Sequence, residues 1–403
     1  MGKIRVRIIF CGIYFDLMVG HIQYNLYFCT NKQFSRKNVH MKNICIVVGA
    51  RPNFIKVAPI IWAIDKAKSA GEKISYMLVY TGSCDDATLE PSLFDDLQIN
   101  KPDVYLGVNC SSLNELTGMV MAEFERYLSS HQTDVVIVVD DLASTMAVAI
   151  VTKKCGICLA HLVAGTRSFD IKMPKEINRL VIDGLSDYLF TAGAGSNSIV
   201  TREGASLSQI YMVGNVLIDT LRFNHSRLRR PQFFDKLMLN DKGYLVLTLN
   251  RKCLFSNEEK LKCLILSIIE ASGMCPVIAP LREKAASVVA SLGIDNSKFV
   301  VLPSMPYLEF GYLSSNARGV ITDSGNVAEE ATFNNVPCIT LNSYTEHIET
   351  VTQGTNVLVG ENPDLLKDVV ADMVAGRWKK GTLPDRWDGR TAERIVRILI
   401  EKN

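Results

Sequence analysis

From Ile44 onward, short β-rich runs alternate with helical stretches, an order that few folds accept. ICIVVG precedes a helical pattern over residues 52–70, YMLVYTG precedes one over 113–130, and VVIVVDD precedes one reaching Lys154, after which comes CLAHLVAG. Such alternation implies parallel strands with helices on both faces of the sheet. YLFTAG and QIYMVG continue it. Near residues 224–240 the pattern breaks: HSRLRRPQFFDKLMLNDKG is charged, holds a proline and contains no strand-like run, as expected of a domain junction. A second series follows, with GYLVLTL, CPVIAP, KFVVLPSM, GVITDS, PCITL and NVLVG as its strands. The fold class is therefore α/β, two Rossmann-like domains facing each other across a cleft. The expected division is 41–223 for the first domain, 224–241 for the linker and 242–378 for the second, with 379–403 supplying a C-terminal helix that packs back on the first.

Residues 1–40 do not share this pattern. IRVRIIFCGIYF places basic residues before an apolar stretch in the manner of a signal sequence, but Asp16 interrupts it and no small-residue cleavage site follows. The compact fold is expected to begin at Met41. The segment before it reads as a poorly ordered extension or an artefact of start assignment, the alternative being an edge strand or an anchor.

A chain of 403 residues with 48% hydrophobic content can bury a full core in two domains of ordinary size. Its 44 basic and 42 acidic residues leave no global field to hold nucleic acid or an anionic membrane, so any anion must be met by local groups. No apolar run reaches the ~18 residues of a membrane span. Eleven cysteines without a repeating spacing suggest reduced thiols and a cytoplasmic location. The single close pair, Cys155 and Cys158, reads as one cysteine at a helix end and one in a strand rather than as a metal or redox pair, and neither metal nor cofactor is expected.

The turns that follow the strands carry the chemistry, because ligands of such sheets bind outside the carboxyl ends of the strands. GVITDS runs into Ser324, Gly325 and Asn326 and then into a helix opening with Glu329 and Glu330. The unpartnered amides and dipole of a helix N-terminus are worth ~0.3–2 kcal/mol to a nearby anion. Gly325 lets a phosphate approach the backbone, and a carboxylate one turn on, Glu330, suits the hydroxyls of a ribose. Phosphate with ribose points to a nucleotide. After the first strand, Arg51 and Lys56 follow Gly49 and Ala50 and can set two cations on a diphosphate, or can be solvated charges at a strand–helix turn. Asp140 and Asp141 end a buried strand, where a carboxylate is either an acid–base group or a helix cap. His161 reads as a core histidine bonded to backbone. GAGSNS at 193–198 lacks the third glycine of a dinucleotide loop and is a weak cofactor signal.

From Met41 to its end the chain resembles the non-hydrolysing UDP-N-acetylglucosamine 2-epimerases. The likeness is carried by GARPNFIKVAP, MPKEINR at 173–179, VGNVLIDTL at 213–221, TDSGNVAEEA at 322–331 and the spacing of Glu346 and Glu349. The resemblance implies a glycosyltransferase-B-like fold and interconversion of UDP-GlcNAc and UDP-ManNAc, or of a related UDP-2-acetamido sugar, for surface polysaccharide precursors. In that chemistry UDP is eliminated to a glycal and added back with C2 inverted. The resemblance makes Arg51, Ser324 and Gly325 phosphate contacts, Glu330 the ribose anchor and Phe310 a neighbour of the uracil. It also places Lys56, Arg179, Arg251 and Asn326 at the substrate, Asn326 standing where the family has a second glycine. A homodimer is expected on the same ground.

The catalytic positions depart from the family's pattern. Asp141 matches. Val163 stands where the family's His-Val-Glu-Ala-Gly run has glutamate, Lys175 replaces the first glutamate of Pro-Glu-Glu-x-Asn-Arg while Glu176 is kept, and Asn250 replaces the histidine before Arg251. Asp141 is thus the principal acid–base candidate, with Glu176 and Lys175 behind it. Two rival readings are a UDP-sugar-binding protein without turnover and a glycosyltransferase of the same architecture.

Overall fold

The computed structural model of the chain describes residues 5–10, 13–18 and 41–402. Strands β1 (Arg5–Phe10) and β2 (Ile13–Met18) pair antiparallel with each other, from Arg5 opposite Met18 to Phe10 opposite Ile13. They form a two-stranded sheet in a unit separate from the rest. What else was expected of residues 1–40 lies outside the described residues.

The first sheet contains β3 (Lys42–Val48), β4 (Ile74–Tyr80), β5 (Val104–Tyr105), β6 (Val135–Val139), β7 (Cys158–Ala164), β8 (Tyr188–Thr191) and β9 (Ile210–Met212). All pairs are parallel, in the order β5-β4-β3-β6-β7-β8-β9. Strand residues alternate between two buried faces, as the pleat requires. Ile44, Ile46 and Val48 pack with Ile137 and Val139 under the helix Arg51–Ser69, whereas Cys45 and Val47 pack with Val136 and Val138 under Leu113–Ser130 and Ala143–Lys154. Burial on both faces makes these runs continuously apolar and therefore legible. β5 is the strand that periodicity missed: two residues are too few to show a pattern, and they join the sheet only because Val104 and Tyr105 lie beside Val79 and Tyr80.

The second sheet contains β10 (Leu245–Thr248), β11 (Val277–Leu281), β12 (Phe299–Pro303), β13 (Gly319–Thr322), β14 (Cys338–Thr340) and β15 (Asn356–Leu358). It is also fully parallel, in the order β12-β11-β10-β13-β14-β15. Helices Glu258–Ser272 and Pro363–Val374 cover one face through Leu264, Ile268, Leu366 and Val370, and Phe234, Leu313 and Ala331 cover the other.

In each sheet the strand order reverses beside the first strand, between β3 and β6 and between β10 and β13. At such a switch point the flanking helices leave on opposite faces and open a crevice at the carboxyl ends of the strands. The chain then returns to the first half. Helix Thr391–Glu401 buries Ile395 and Leu399 in the same cluster as Phe54 and Ile61, and Ala392 donates its amide to Asp219 at 2.8 Å. Tyr307 and Leu308 of the second half enter that cluster too. Cys155 caps the C-terminus of Ala143–Lys154 and Cys158 begins β7, both as exposed free thiols.

Candidate functional site

The two crevices open onto one cleft of about 770 Å³. Its wall takes a turn from each switch-point strand: Ala50 and Asn53 after β3, Asp140 and Asp141 after β6, Asn250 and Arg251 after β10, and Ser324 to Asn326 after β13.

Local bonding holds these turns. Asn53 accepts from the amides of Gly49 at 3.0 Å and Ala50 at 3.1 Å, and donates to Asp140 Oδ2 at 2.9 Å. On the facing side Asp323, almost fully buried, accepts from the amides of Asn250 and Arg251 at 2.7 and 2.6 Å, fixing one switch-point loop to the other. The hydroxyls of Thr248 and Thr322 meet at 2.6 Å, and the amide of Ser324 donates to Thr322 Oγ1 at 3.0 Å. Asn53 and Asp323 were not singled out from sequence; their signal was position, since each stands in a strand–helix turn inside a quoted motif.

Asp141 lies on the wall and is nearly buried. Its Oδ2 accepts from Arg179 Nε at 2.8 Å and Nη2 at 2.5 Å, and Lys175 Nζ stands 3.2 Å from Oδ1. Burial pushes its pKa up, but the two cations outweigh that and hold the carboxyl below the usual range. Asp141 is not a helix cap: the helix begins at Ala143 with Leu142 before it. Lys175 is the more open of the pair, its side chain 57% exposed.

Glu176 is placed otherwise. It accepts from Ser168 N and Oγ at 2.9 Å, from Phe169 N at 3.0 Å and from Arg179 Nη1 at 3.0 Å. Behind the wall and fully engaged, it organises the 168–169 loop and orients Arg179, so the structure does not set it where a proton could be moved on a ligand in the cleft. Arg179 itself reaches Glu346 Oε1 at 2.8 Å, across from the second half of the molecule.

Several expected ligand contacts have protein partners. Lys56 lines the cleft but donates to Asp140 Oδ1 at 2.6 Å. Burial lowers its pKa, and Asp140 with Glu329 more than restores it, so the net shift is upward. Arg51 is not on the wall; its Nε donates to Glu90 at 3.2 Å. Glu330 and Phe310 also lie off the wall. Glu330 is buried, and desolvation with the neighbouring charge of Glu329 pushes its pKa up to about 8, Arg51 pulling only weakly the other way. Arg251 lines the cleft with its guanidinium over the ring of Tyr344, 5.4 Å from the centroid, and Nη1 3.2 Å from the hydroxyl.

His161 is a buried core residue, with Nε2 donating to the carbonyl of Asp140 at 3.0 Å and Nδ1 2.6 Å from Asp183. Val163 also lines the cleft, at a register shift between Leu162 and Ala164. Its φ of 66° is left-handed, a conformation that costs a β-branched residue roughly 1–2 kcal/mol. In GAGSNS the first glycines face Glu349 Oε1, which would stand 3.2 Å from a Cβ at Gly193. That helix start is thus occupied by a carboxylate.

Gly325 has a role that the sequence did not reveal. A Cβ there would stand 2.7 Å from Cδ2 of His347, so the missing side chain makes room for an imidazole. His347 lines the cleft and was not singled out from sequence; it lay between Glu346 and Glu349, whose spacing alone was noted.

Comparison with known proteins identifies the family and the fold. The family profile described as UDP-N-acetylglucosamine 2-epimerase matches residues 66–400. The UDP-N-acetylglucosamine 2-epimerase of Methanocaldococcus jannaschii is 33% identical over 369 residues, covering 88% of this chain and 98% of that protein. The crystal structure of that archaeal enzyme in complex with UDP-GlcNAc and UDP superposes with a TM-score of 0.78, covering 89% of this chain and 99% of the other. The UDP-2,3-diacetamido-2,3-dideoxy-D-glucuronate 2-epimerase of Pseudomonas aeruginosa is 32% identical over 326 residues, 80% of this chain and 90% of that one. Fold, cleft and sequence likeness over nearly the whole length agree: the chain belongs to the UDP-N-acetylglucosamine 2-epimerase family.

Proposed function

We propose that the chain binds a UDP-2-acetamido sugar in the cleft and inverts its C2 by eliminating UDP and adding it back, with UDP-GlcNAc and UDP-ManNAc as the first pair to consider. The observation that carries this reading is the convergence of Asp141 and the Ser324–Gly325 turn on one cleft. A base for the sugar and an anion-binding helix start for the diphosphate then serve the same ligand.

Asp141 is the base. Kept ionised by Lys175 and Arg179, it is ready to take a proton rather than give one. As the C1–O bond breaks and the electron pair leaves with UDP, the amides at the start of Gly325–Phe333 and the guanidinium of Arg251 take up the charge. Lys175, 3.2 Å from Asp141 and open to the cleft, is the candidate to return a proton to the glycal, which must turn in the cleft so that C2 receives it on the opposite face before UDP adds back at C1. Val163 and Asn250 bring no acid or base to the wall, and a missing group of that kind typically costs ~10²–10⁴ in rate, so slow turnover is expected. Arg51, Glu330 and Phe310 reach the nucleotide only if the halves or side chains rearrange around it. Among the described residues no helix is long and apolar enough to cross a membrane. The same reading includes a cytoplasmic homodimer, checked by light scattering of the purified protein.

Incubation with UDP-GlcNAc in deuterated water tests the reaction: deuterium at C2 and formation of UDP-ManNAc are expected. If neither appears, and UDP-2,3-diacetamido-2,3-dideoxy-D-glucuronate gives no exchange either, epimerisation is excluded for both sugars. Calorimetry showing no affinity for UDP would overturn the site itself.

A further inference from the structure

His347 immediately precedes the short helix Ile348–Thr352, and its ring edge lies against the first turn of Gly325–Phe333. Nδ1 is 2.9 Å from Glu329 Oε1, and that carboxylate is fixed in turn by Asn215 Nδ2 at 2.7 Å. Glu329 is buried; burial raises its pKa, but His347, Lys56 and Asn215 outweigh the effect and keep it an anion. An anion at Nδ1 makes that nitrogen a donor and sets the orientation of the ring. The other nitrogen, Nε2, would stand 3.1 Å from a Cβ at Gly325 and has no hydrogen-bond partner among the described residues.

A neutral ring with its proton on Nδ1 would turn a lone pair on Nε2 toward the helix start, and a phosphate seated there would be repelled. Only the doubly protonated ring suits an anion at that place. Building on the UDP-sugar reading above, we propose that His347 is a diphosphate-contacting residue, an imidazolium positioned by Glu329 that donates from Nε2 to a phosphate seated on the amides of Gly325–Phe333. Glu329 is its positioning residue.

The charges around the ring agree in direction. Burial and Lys56 oppose protonation, Glu329 and Glu346 favour it, and the net effect raises the pKa above the ordinary 6.5. A bound diphosphate adds further negative charge. UDP binding in mildly alkaline solution is therefore accompanied by proton uptake, and affinity falls as pH rises through the pKa of the ring.

The test is calorimetric titration of UDP and of uridine at pH 7 and pH 9, where the terminal phosphate, with a second pKa of ~6, is ionised throughout. Wild-type protein, His347→Gln and His347→Arg are compared. The wild type is expected to lose about tenfold in UDP affinity between the two pH values, the size of one charged hydrogen bond. His347→Gln should bind UDP about tenfold more weakly at pH 7 and show no pH slope. His347→Arg should recover most of the affinity, also without slope, and uridine should bind all three alike. If His347→Gln keeps wild-type UDP affinity and slope, or weakens uridine as much as UDP, the role of His347 is overturned while the UDP site stands. If the wild type itself does not bind UDP, the site and this inference fall together.

Discussion

Arg179 and Glu346 meet across the cleft, Nη2 to Oε1 at 2.8 Å, although 167 positions separate them in the chain. The same guanidinium holds Asp141 from the side and Glu176 from behind. One planar fork thus orients the proposed base and joins the two halves of the molecule. This is a task for arginine, since lysine offers a single point of charge and cannot satisfy three carboxylates in fixed directions.

Arg179→Lys is therefore expected to cost stability and activity together. Breaking a buried ion pair typically costs ~3–5 kcal/mol, and the retained charge should reduce this to ~2–3 kcal/mol. Solvent exchange at C2 should fall by at least ~10-fold as Asp141 loses its two-point support. Glu346→Gln, which leaves Asp141 held, should cost less than ~1.5 kcal/mol. Urea denaturation and deuterium incorporation measure the two effects, and a lysine variant unchanged in both would refute the arrangement.

Glu330 predicts a pH dependence of stability. Its folded-state pKa is pushed up to about 8, above the ordinary 4.5. For an acid shifted in this direction, the stabilising contribution is complete below pH 4.5 and is lost as pH rises from there to about 8. Glu330→Gln keeps the shape and removes the titration. It should match the wild type near pH 5 and exceed it at pH 8.5 by on the order of a few kcal/mol. Thermal unfolding at the two pH values decides, and parallel curves would show that the carboxyl is not held neutral.

Gly325→Ala places a methyl group 2.7 Å from His347 Cδ2. The ring must swing away, which loosens its pairing with Glu329 and narrows the mouth of the helix start. Overpacking of this kind costs ~1–3 kcal/mol. UDP affinity should fall by at least ~10-fold. Calorimetry on this variant showing undiminished UDP affinity would mean that the helix start does not receive the diphosphate.

Val163 carries left-handed backbone strain on the cleft wall. Val163→Asn exchanges half-buried packing for a side chain that tolerates that conformation, so stability should stay within ~1 kcal/mol. Val163→Glu puts a carboxylate where the family resemblance expects one. Exchange at C2 of UDP-GlcNAc should then rise by at least ~10-fold if Asp141 lacks a partner in proton transfer. A decrease, with the fold intact by circular dichroism, would mean that the wall has adapted to an apolar residue at this position.

Most of the architecture was legible because its signals are local. The apolar runs at 44–48 and 135–139 are strands buried on both faces, and every strand singled out from Ile44 onward is present. Turn composition located the strand ends that build the cleft, Asp140 and Asp141 on one side and Ser324 and Gly325 on the other. The charged groups were harder to place. Residue type marked Arg51 and Lys56 as ligand groups and the family resemblance marked Glu176 for proton transfer, whereas their partners within the fold are Glu90, Asp140 and the 168–169 loop. His347 went unnoticed because its significance lies in its neighbours, Glu329 and Gly325.

The amino-acid order alone determined two parallel sheets and the strand ends that line the cleft, because strand burial and helix starts are written in periods of a few residues. Tertiary structure alone decided which charges face the cleft and which are already paired. Asn215 meets Glu329 over 114 positions of sequence, and Lys56 meets Asp140 over 84. Coulombic partnership and desolvation depend on distances of a few ångströms in the folded chain, and no pattern within a short window of sequence records those distances.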